Sequence, residues 1–278
     1  MTADSAEYVL GGTETERQRL LTQIEGLEPQ ARWLLDKIGV HLGSRAIDIG
    51  CGPLGILNLL SERVGPHGAV VGLEREPRFA AMAKLEIERR NLRNVQIVQA
   101  DALATGLERE SFDLAHERLV LANVPEREAF ISEMLSLIRP GGILALEDID
   151  NVSWLCEPPH PSWDILYRVF HAAFHAGGGD GFIGRRLVNY LRNAGLEEVE
   201  FKIHVDIVPR GYRHIHLLAL IESLHDKIIG LGLLAEDELR RHKSALNKHL
   251  EGPETVVVDK LLVQAWGRKP RLPPGRSA

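Results

Sequence analysis

Residues 46–55 read AIDIGCGPLG: a short apolar strand with an acid near its end, then three glycines in a tight turn. The helical pattern ILNLLSERV follows at once. Glycine lacks a Cβ and accepts φ > 0, so such a turn lets backbone N–H groups and a helix N-terminus approach a ligand closely. Gly50, Gly52 and Gly55 spell G-x-G-x-x-G, the dinucleotide fingerprint, which is weak evidence alone. Asp48, inside the strand end, points instead to a ligand with positive and hydroxyl groups.

Outward from this turn, strand and helix patterns alternate. Strand-like runs fall at 45–49, 69–73, 95–98, 112–116 and 142–147, with helical runs at 55–64, 77–90 and 126–138. This alternation predicts β-α-β units around a mostly parallel sheet. Upstream, 13–25 and the stretch after Pro29 read as helices. Beyond residue 148 the rhythm breaks into a Pro/Trp-rich loop at 150–162 and helices at 162–176 and 182–194. Strands are expected at 197–207 and 255–265, separated by helical segments at 213–231 and 235–250. A plain α/β connection needs only a few residues, so this long excursion reads as a lid or binding surface.

The 278 residues suffice for one large α/β domain, and 44% apolar with 26% charged residues is ordinary globular composition. A net charge of -6 offers no basic field for nucleic acid. Cys51 and Cys156 stand apart with no metal-ligand spacing, so both are expected as free thiols and no metal site is expected. No apolar run reaches membrane-spanning length, and the first ten residues lack signal-peptide order, which predicts a cytoplasmic protein with no membrane partner.

Three acids recur at successive strand ends: Asp48, Glu74 in VVGLE and Asp101 in IVQAD. In an open parallel sheet, ligands sit beyond the carboxyl ends of the strands, so the three converge on one crevice. Glu74 follows Gly55 by 19 residues, close to the offset of an acid that takes ribose hydroxyls.

IDIGCGP (47–53), GLE (72–74), ADA (100–102), FDLAHERLVLANVP (112–125) and IRPGGILALED (138–148) resemble the class I S-adenosylmethionine-dependent methyltransferases, in particular the small-molecule branch related to quinone-ring methyltransferases. The resemblance covers residues 45–148. It implies an α/β, Rossmann-like seven-stranded sheet in the order 3-2-1-4-5-7-6, the last strand antiparallel, with helices on both faces. It also implies an N-terminal helical lid over 1–40 and a core over 41–278, with substrate-lid insertions at about 150–180 and 208–252. Gly50, Cys51 and Gly52 would line the methionine part of the cofactor above Asp48. Glu74 would accept the ribose hydroxyls, Arg75 would pack on the adenine, and Asp101 and the Ala102 N–H would meet the adenine edge. Glu117, through its carbonyl, and Arg118 would follow the methionine chain. YVLGGTETERQRLLTQ (8–23) is similar to a leader helix that folds over the cofactor, which nominates Tyr8, Arg19 and Gln23. Leu54 departs from the pattern, since many relatives carry glycine there. On this reading Gly55 completes the dinucleotide fingerprint by coincidence.

The resemblance implies methyl transfer to a lipophilic or aromatic small molecule, on O, N or C, in natural-product biosynthesis, and it allows a homo-oligomer. An O–H or N–H nucleophile needs a proton acceptor, for which His116, His171 and His175 are candidates, with His214 and His216 in the lid and Glu147 and Asp148 as carboxylate alternatives. His171 and His175 share a helix face at i, i+4. Trp154, Trp163, Phe170, Phe174 and the Leu/Ile-rich 213–231 segment offer an apolar substrate side. The acidic balance argues against a nucleic-acid methyltransferase, and two rivals stand beside this reading. One is an NAD-dependent oxidoreductase on the same glycine turn; the other is a non-catalytic or cyclase protein that borrows the fold.

Overall fold

The computed structural model describes residue 20 and residues 22–271, with the side chains of His214 and Ile215 set aside. The nominated Tyr8 and Arg19, and the side chain of His214, therefore lie outside the described residues.

Strands β1 (Arg45–Ile49), β2 (Ala69–Glu74), β3 (Val95–Gln99), β4 (Phe112–Arg118) and β5 (Ile138–Asp150) run parallel. Short strands β6 (Leu155–Glu157) and β8 (Val256–Val258) pair in a separate antiparallel ribbon. Strands β7 (Glu197–His204) and β9 (Leu261–Arg268) complete the main sheet in the order β3-β2-β1-β4-β5-β9-β7. With the ribbon set aside, β7 and β9 are the sixth and seventh strands, so this is the implied order, with β9 antiparallel to both neighbours.

Helices cover both faces of the sheet, so successive residues of β1, β4 and β5 are buried on both sides. Because side chains alternate along a strand, each central strand feeds two cores. On one face Ala46, Leu114 and Ala145 pack with Leu34 and Leu35 of α1 (Glu28–Ile38) and with Leu57 and Leu60 of α2 (Leu57–Val64). On the other, Ile47, Ala115, Leu144 and Leu146 pack with Phe130 and Met134 of α4 (Arg127–Leu137). Helix α3 (Pro77–Arg89) joins β2 to β3; proline opens it and the Glu76 carboxylate accepts from Arg78 N.

The second core extends into the insertions, where α5 (Pro161–Ala176) is joined by α7 (Arg213–Ser223), α8 (His225–Gly230) and α9 (Glu236–Leu250). Helix α6 (Leu187–Asn193) leads into β7. Several boundaries differ from expectation. The 255–265 strand is two strands, broken at Asp259-Lys260, and the 150–162 loop contains β6. Strand β7 ends at His204 and not at residue 207, while β5 starts at Ile138, within IRPGG itself.

Candidate active site

A cavity of about 410 Å³ opens beyond the carboxyl ends of β1, β2, β4 and β5, where an open α/β sheet places its ligands. Gln23, Asp48, Gly50, Cys51, Gly52, Glu74, Arg75, Asp101, Ala102 and Arg118 all line it. Glu117, His116, His171 and His175 do not.

The glycine turn is fixed from below. The Asp48 carboxylate receives Ile56 N at 3.0 Å, which anchors the start of α2. Gly55 has φ +52, and a Cβ there would collide with Asp48 Oδ2 and lie 2.9 Å from Cys51 O. The expectation that Gly55 is coincidental is therefore corrected: the approach of Asp48 to the turn requires glycine. Gly50, at φ +70, faces the Val120 side chain so closely that a Cβ would overlap Cγ2. Leu54 is buried among Leu34, Leu57 and Leu60, so the turn accepts it by turning it into the core. The Cys51 thiol is pushed well up by burial and by the nearby Asp48 and Glu74 carboxylates, so it is a neutral packing group.

Glu74 bridges two parts of the cavity wall. Its carboxylate accepts from Gly52 N and from Glu76 N, each at 2.8 Å. Burial raises its pKa, while these N–H groups oppose the rise. Arg75 Nη1 lies 3.9 Å from Asp101 Oδ2, and Asp101 Oδ1 receives Leu103 N at 2.8 Å. These contacts leave two carboxylates and one guanidinium along the rim at the ends of β2 and β3.

His116 is withdrawn from the cavity. Its Nδ1 lies 2.7 Å from Asp48 Oδ1 and its Nε2 lies 2.7 Å from Glu147 Oε1, with the ring fully buried. Burial alone would lower the imidazole pKa, but the two carboxylates outweigh it and push it up to about 9. Glu147 is held below its usual range against burial, chiefly by His116, and its other oxygen accepts from Gln264 Nε2 at 2.6 Å. With both ring nitrogens engaged, His116 is a positioning group under the turn and has no atom for a substrate proton.

On the opposite face of the same strands, Glu117 and Asp148 clamp the loop that floors the cavity. Glu117 Oε2 accepts from Val120 N (3.0 Å) and Leu121 N (3.3 Å), and Asp148 Oδ2 accepts from Ala122 N (2.8 Å). Both acids are fully buried. Burial and the neighbouring Asp148 raise the Glu117 carboxyl well up, and burial raises Asp148 to about 7 against the N–H groups of Ile149 and Ala122. Asp148 lines the cavity; Glu117 does not. Two polar atoms on the cavity wall, Arg118 Nη1 and Asn123 Oδ1, are buried without a hydrogen-bond partner.

The lid side is apolar. Phe170 and Phe174, stacked at 5.5 Å, line it with Ile149 and Leu220. Trp154 and Trp163 instead pack edge to face at 5.7 Å in the core behind, away from the cavity lining. His171 stacks on Phe182 and is lowered to about 4 by burial, while His175, one turn on, is exposed. The shared face expected of this pair therefore does not deliver either ring to the cavity. Among the described residues, no cluster of three metal-ligating side chains occurs and no helix is long and apolar enough to cross a membrane. Lys260, which sequence reasoning missed, also lines the cavity.

Residues 41–173 match the methyltransferase domain family. The demethylmenaquinone methyltransferase of Listeria welshimeri is 28% identical over 131 residues, covering 47% of this chain and 53% of that protein. The chain thus spans about half the length of the curated relatives it matches. A candidate methyltransferase of Bacillus halodurans superposes with a TM-score of 0.58 at 17% identity, covering 86% of this chain and 98% of that one. Phosphoethanolamine N-methyltransferase 2 of Haemonchus contortus, solved with S-adenosylhomocysteine, gives 0.54 at 16% identity, covering 88% and 53%. The sheet order, the acids at the strand ends and the family match agree: over residues 41–173 this chain is similar to the methyltransferase domains.

Proposed function

We propose that the chain binds S-adenosylmethionine at the glycine turn and methylates a lipophilic or aromatic small molecule. The observation that carries this reading is the convergence of Asp48, Glu74 and Asp101, from three adjacent strands, on one cavity. The residues present fit the group. Glu74 offers a carboxylate for a ribose diol, and Arg75, Asp101 and Ala102 stand along the rim for the adenine. The orphaned Arg118 Nη1 suits an α-carboxylate, and the orphaned Asn123 Oδ1 suits an ammonium. Glu117 acts through the floor loop that it holds. Bound S-adenosylmethionine supplies a methyl carbon made electrophilic by a sulfonium.

The chain's own contribution is alignment, which can supply roughly 7–11 kcal/mol of a displacement barrier. Phe170, Phe174 and Leu220 hold an apolar acceptor and exclude water. Asp148, buried at the cavity with a pKa raised to about 7, is the group suited to take a proton from an O–H or N–H acceptor. It replaces His116, His171 and His175 in that role; an electron-rich carbon acceptor would need no such group. Residues 1–40 and the insertions at about 150–180 and 208–252 serve as lids on this reading. A cytoplasmic setting, a role in natural-product biosynthesis, a homo-oligomer and the absence of a nucleic-acid partner belong to the same proposal.

Incubation with methyl-labelled S-adenosylmethionine and a panel of lipophilic aromatic phenols, amines and enols tests it. Label transfer that Asp48→Asn or Glu74→Ala sharply lowers supports the reading. No transfer to any acceptor, with the cofactor bound, favours the fold-borrowing alternative.

A further inference from the structure

Beyond Phe170, Phe174, Ile149 and Leu220, one basic side chain lines the lid end of the cavity among the described residues: Lys260. It sits at the break between β8 and β9, and the chain there is pinned. Asp259 O accepts from Ser153 Oγ at 2.7 Å, and Asp259 N donates to Asp206 O at 2.9 Å. The ammonium is pinned too. Lys260 Nζ lies 3.2 Å from Asp259 Oδ1, 3.5 Å from His216 Nδ1 and 5.0 Å from the centre of the Trp154 ring. His216 Nδ1 also lies 3.3 Å from Asp259 Oδ1, so two basic side chains share one carboxylate. That carboxylate is held below the usual range, with Lys260 and His216 outweighing its burial.

Lysine is rarely buried, yet this side chain is only 12% exposed and is fixed at the wall of a cavity whose lid side is apolar. A fixed, poorly hydrated ammonium attracts an anionic oxygen far more strongly than one in bulk water does. His216, which holds Lys260 from behind, and Leu220, which lines the cavity, stand at i and i+4 on α7. We propose that the acceptor site takes a flat, apolar molecule bearing one ionised oxygen acid, with Lys260 receiving that oxygen while Phe170, Phe174 and Leu220 hold the body. This assignment rests on the proposed methyltransferase reading and names its acceptor class.

Calorimetric titration of the full chain, with and without S-adenosylhomocysteine, tests it with two pairs of probes. 2-Naphthoate and 4-hydroxycoumarin are ionised at neutral pH; 2-naphthamide and coumarin are their neutral counterparts. The proposal expects at least one ionised probe to bind about tenfold or more tightly than its counterpart. Lys260→Gln should erase that preference and Lys260→Arg should keep most of it, both leaving the S-adenosylhomocysteine affinity unchanged. Equal or tighter binding of the neutral probes, no binding of either ionised probe, or a preference that survives Lys260→Gln overturns it. A Lys260-dependent preference in a chain that fails to bind S-adenosylhomocysteine would instead overturn the cofactor reading and leave the anion site standing. A preference for 2-naphthoate alone identifies the acid as a carboxylate, and for 4-hydroxycoumarin alone as an enol.

Discussion

Asp48 and His116 stand directly opposite one another on β1 and β4, and the 2.7 Å contact between them joins the glycine turn to a buried row of polar side chains. The row continues through Glu147 on β5 to Gln264 on β9, whose amide also donates to Gln30 O in α1. Two carboxylates on one imidazolium keep a net negative charge inside the sheet, with Gln264 donating to the far end. Removing the imidazolium would leave both carboxylates buried without their shared cation.

His116→Ala should therefore destabilise the protein by about 3–5 kcal/mol, the usual cost of stranding a buried charge. The wild type has a pH signature as well. The folded pKa is raised to about 9, so this contribution is complete below the unfolded value of about 6.5 and is lost as pH rises through about 9. Urea unfolding at pH 6, 7.5 and 9 should show a decline that His116→Ala lacks; parallel profiles would contradict the assignment.

Asp148 makes a separate contribution at lower pH. Its folded pKa is raised to about 7, so the protonated acid favours the fold and stability falls as pH rises from about 4 to 7. Asp148→Asn should flatten that part of the profile. If methyl transfer is found, the same variant should lower kcat more than it changes cofactor affinity.

Gly50→Ala should destabilise by roughly 2–4 kcal/mol, combining a left-handed backbone with overlap on Val120. Adding Val120→Ala should recover the steric part only. Thermal melts of the two single variants and the double variant give the coupling; simple additivity would mean that Val120 is not the obstacle.

Glu74→Ala removes the carboxylate that ties the turn to the end of β2. Hydrogen bonds to charged groups contribute about 1.5–3 kcal/mol, so S-adenosylhomocysteine should bind roughly 10- to 100-fold more weakly. Calorimetry reads this directly, and an unchanged affinity would remove Glu74 from the ribose site.

The parallel half of the fold was legible because β1 runs into Gly50, β2 ends in Glu74 and β3 is followed by Asp101, and the helices 57–64 and 77–89 between them show 3.6-residue periodicity. The roles of side chains within β4 were not. That strand is covered on both faces, so alternation cannot say whether His116 or Glu117 meets a ligand. His171 and His175 illustrate the limit of i, i+4 reasoning: one packs into Phe182 and the other faces solvent. Lys260 was hidden because VVVDKLLV reads as one strand with a charged interruption. Only tertiary pairing, β8 with β6 and β9 with β5, breaks the run there and brings Lys260 to the cavity.

The central claim is that the turn at Gly50–Gly52 holds a methyl donor and not a dinucleotide. Isothermal titration of the purified chain with S-adenosylhomocysteine and, separately, with NADH tests it most directly. The account predicts one-to-one binding of S-adenosylhomocysteine and no heat with NADH; tight NADH binding without S-adenosylhomocysteine binding would contradict it.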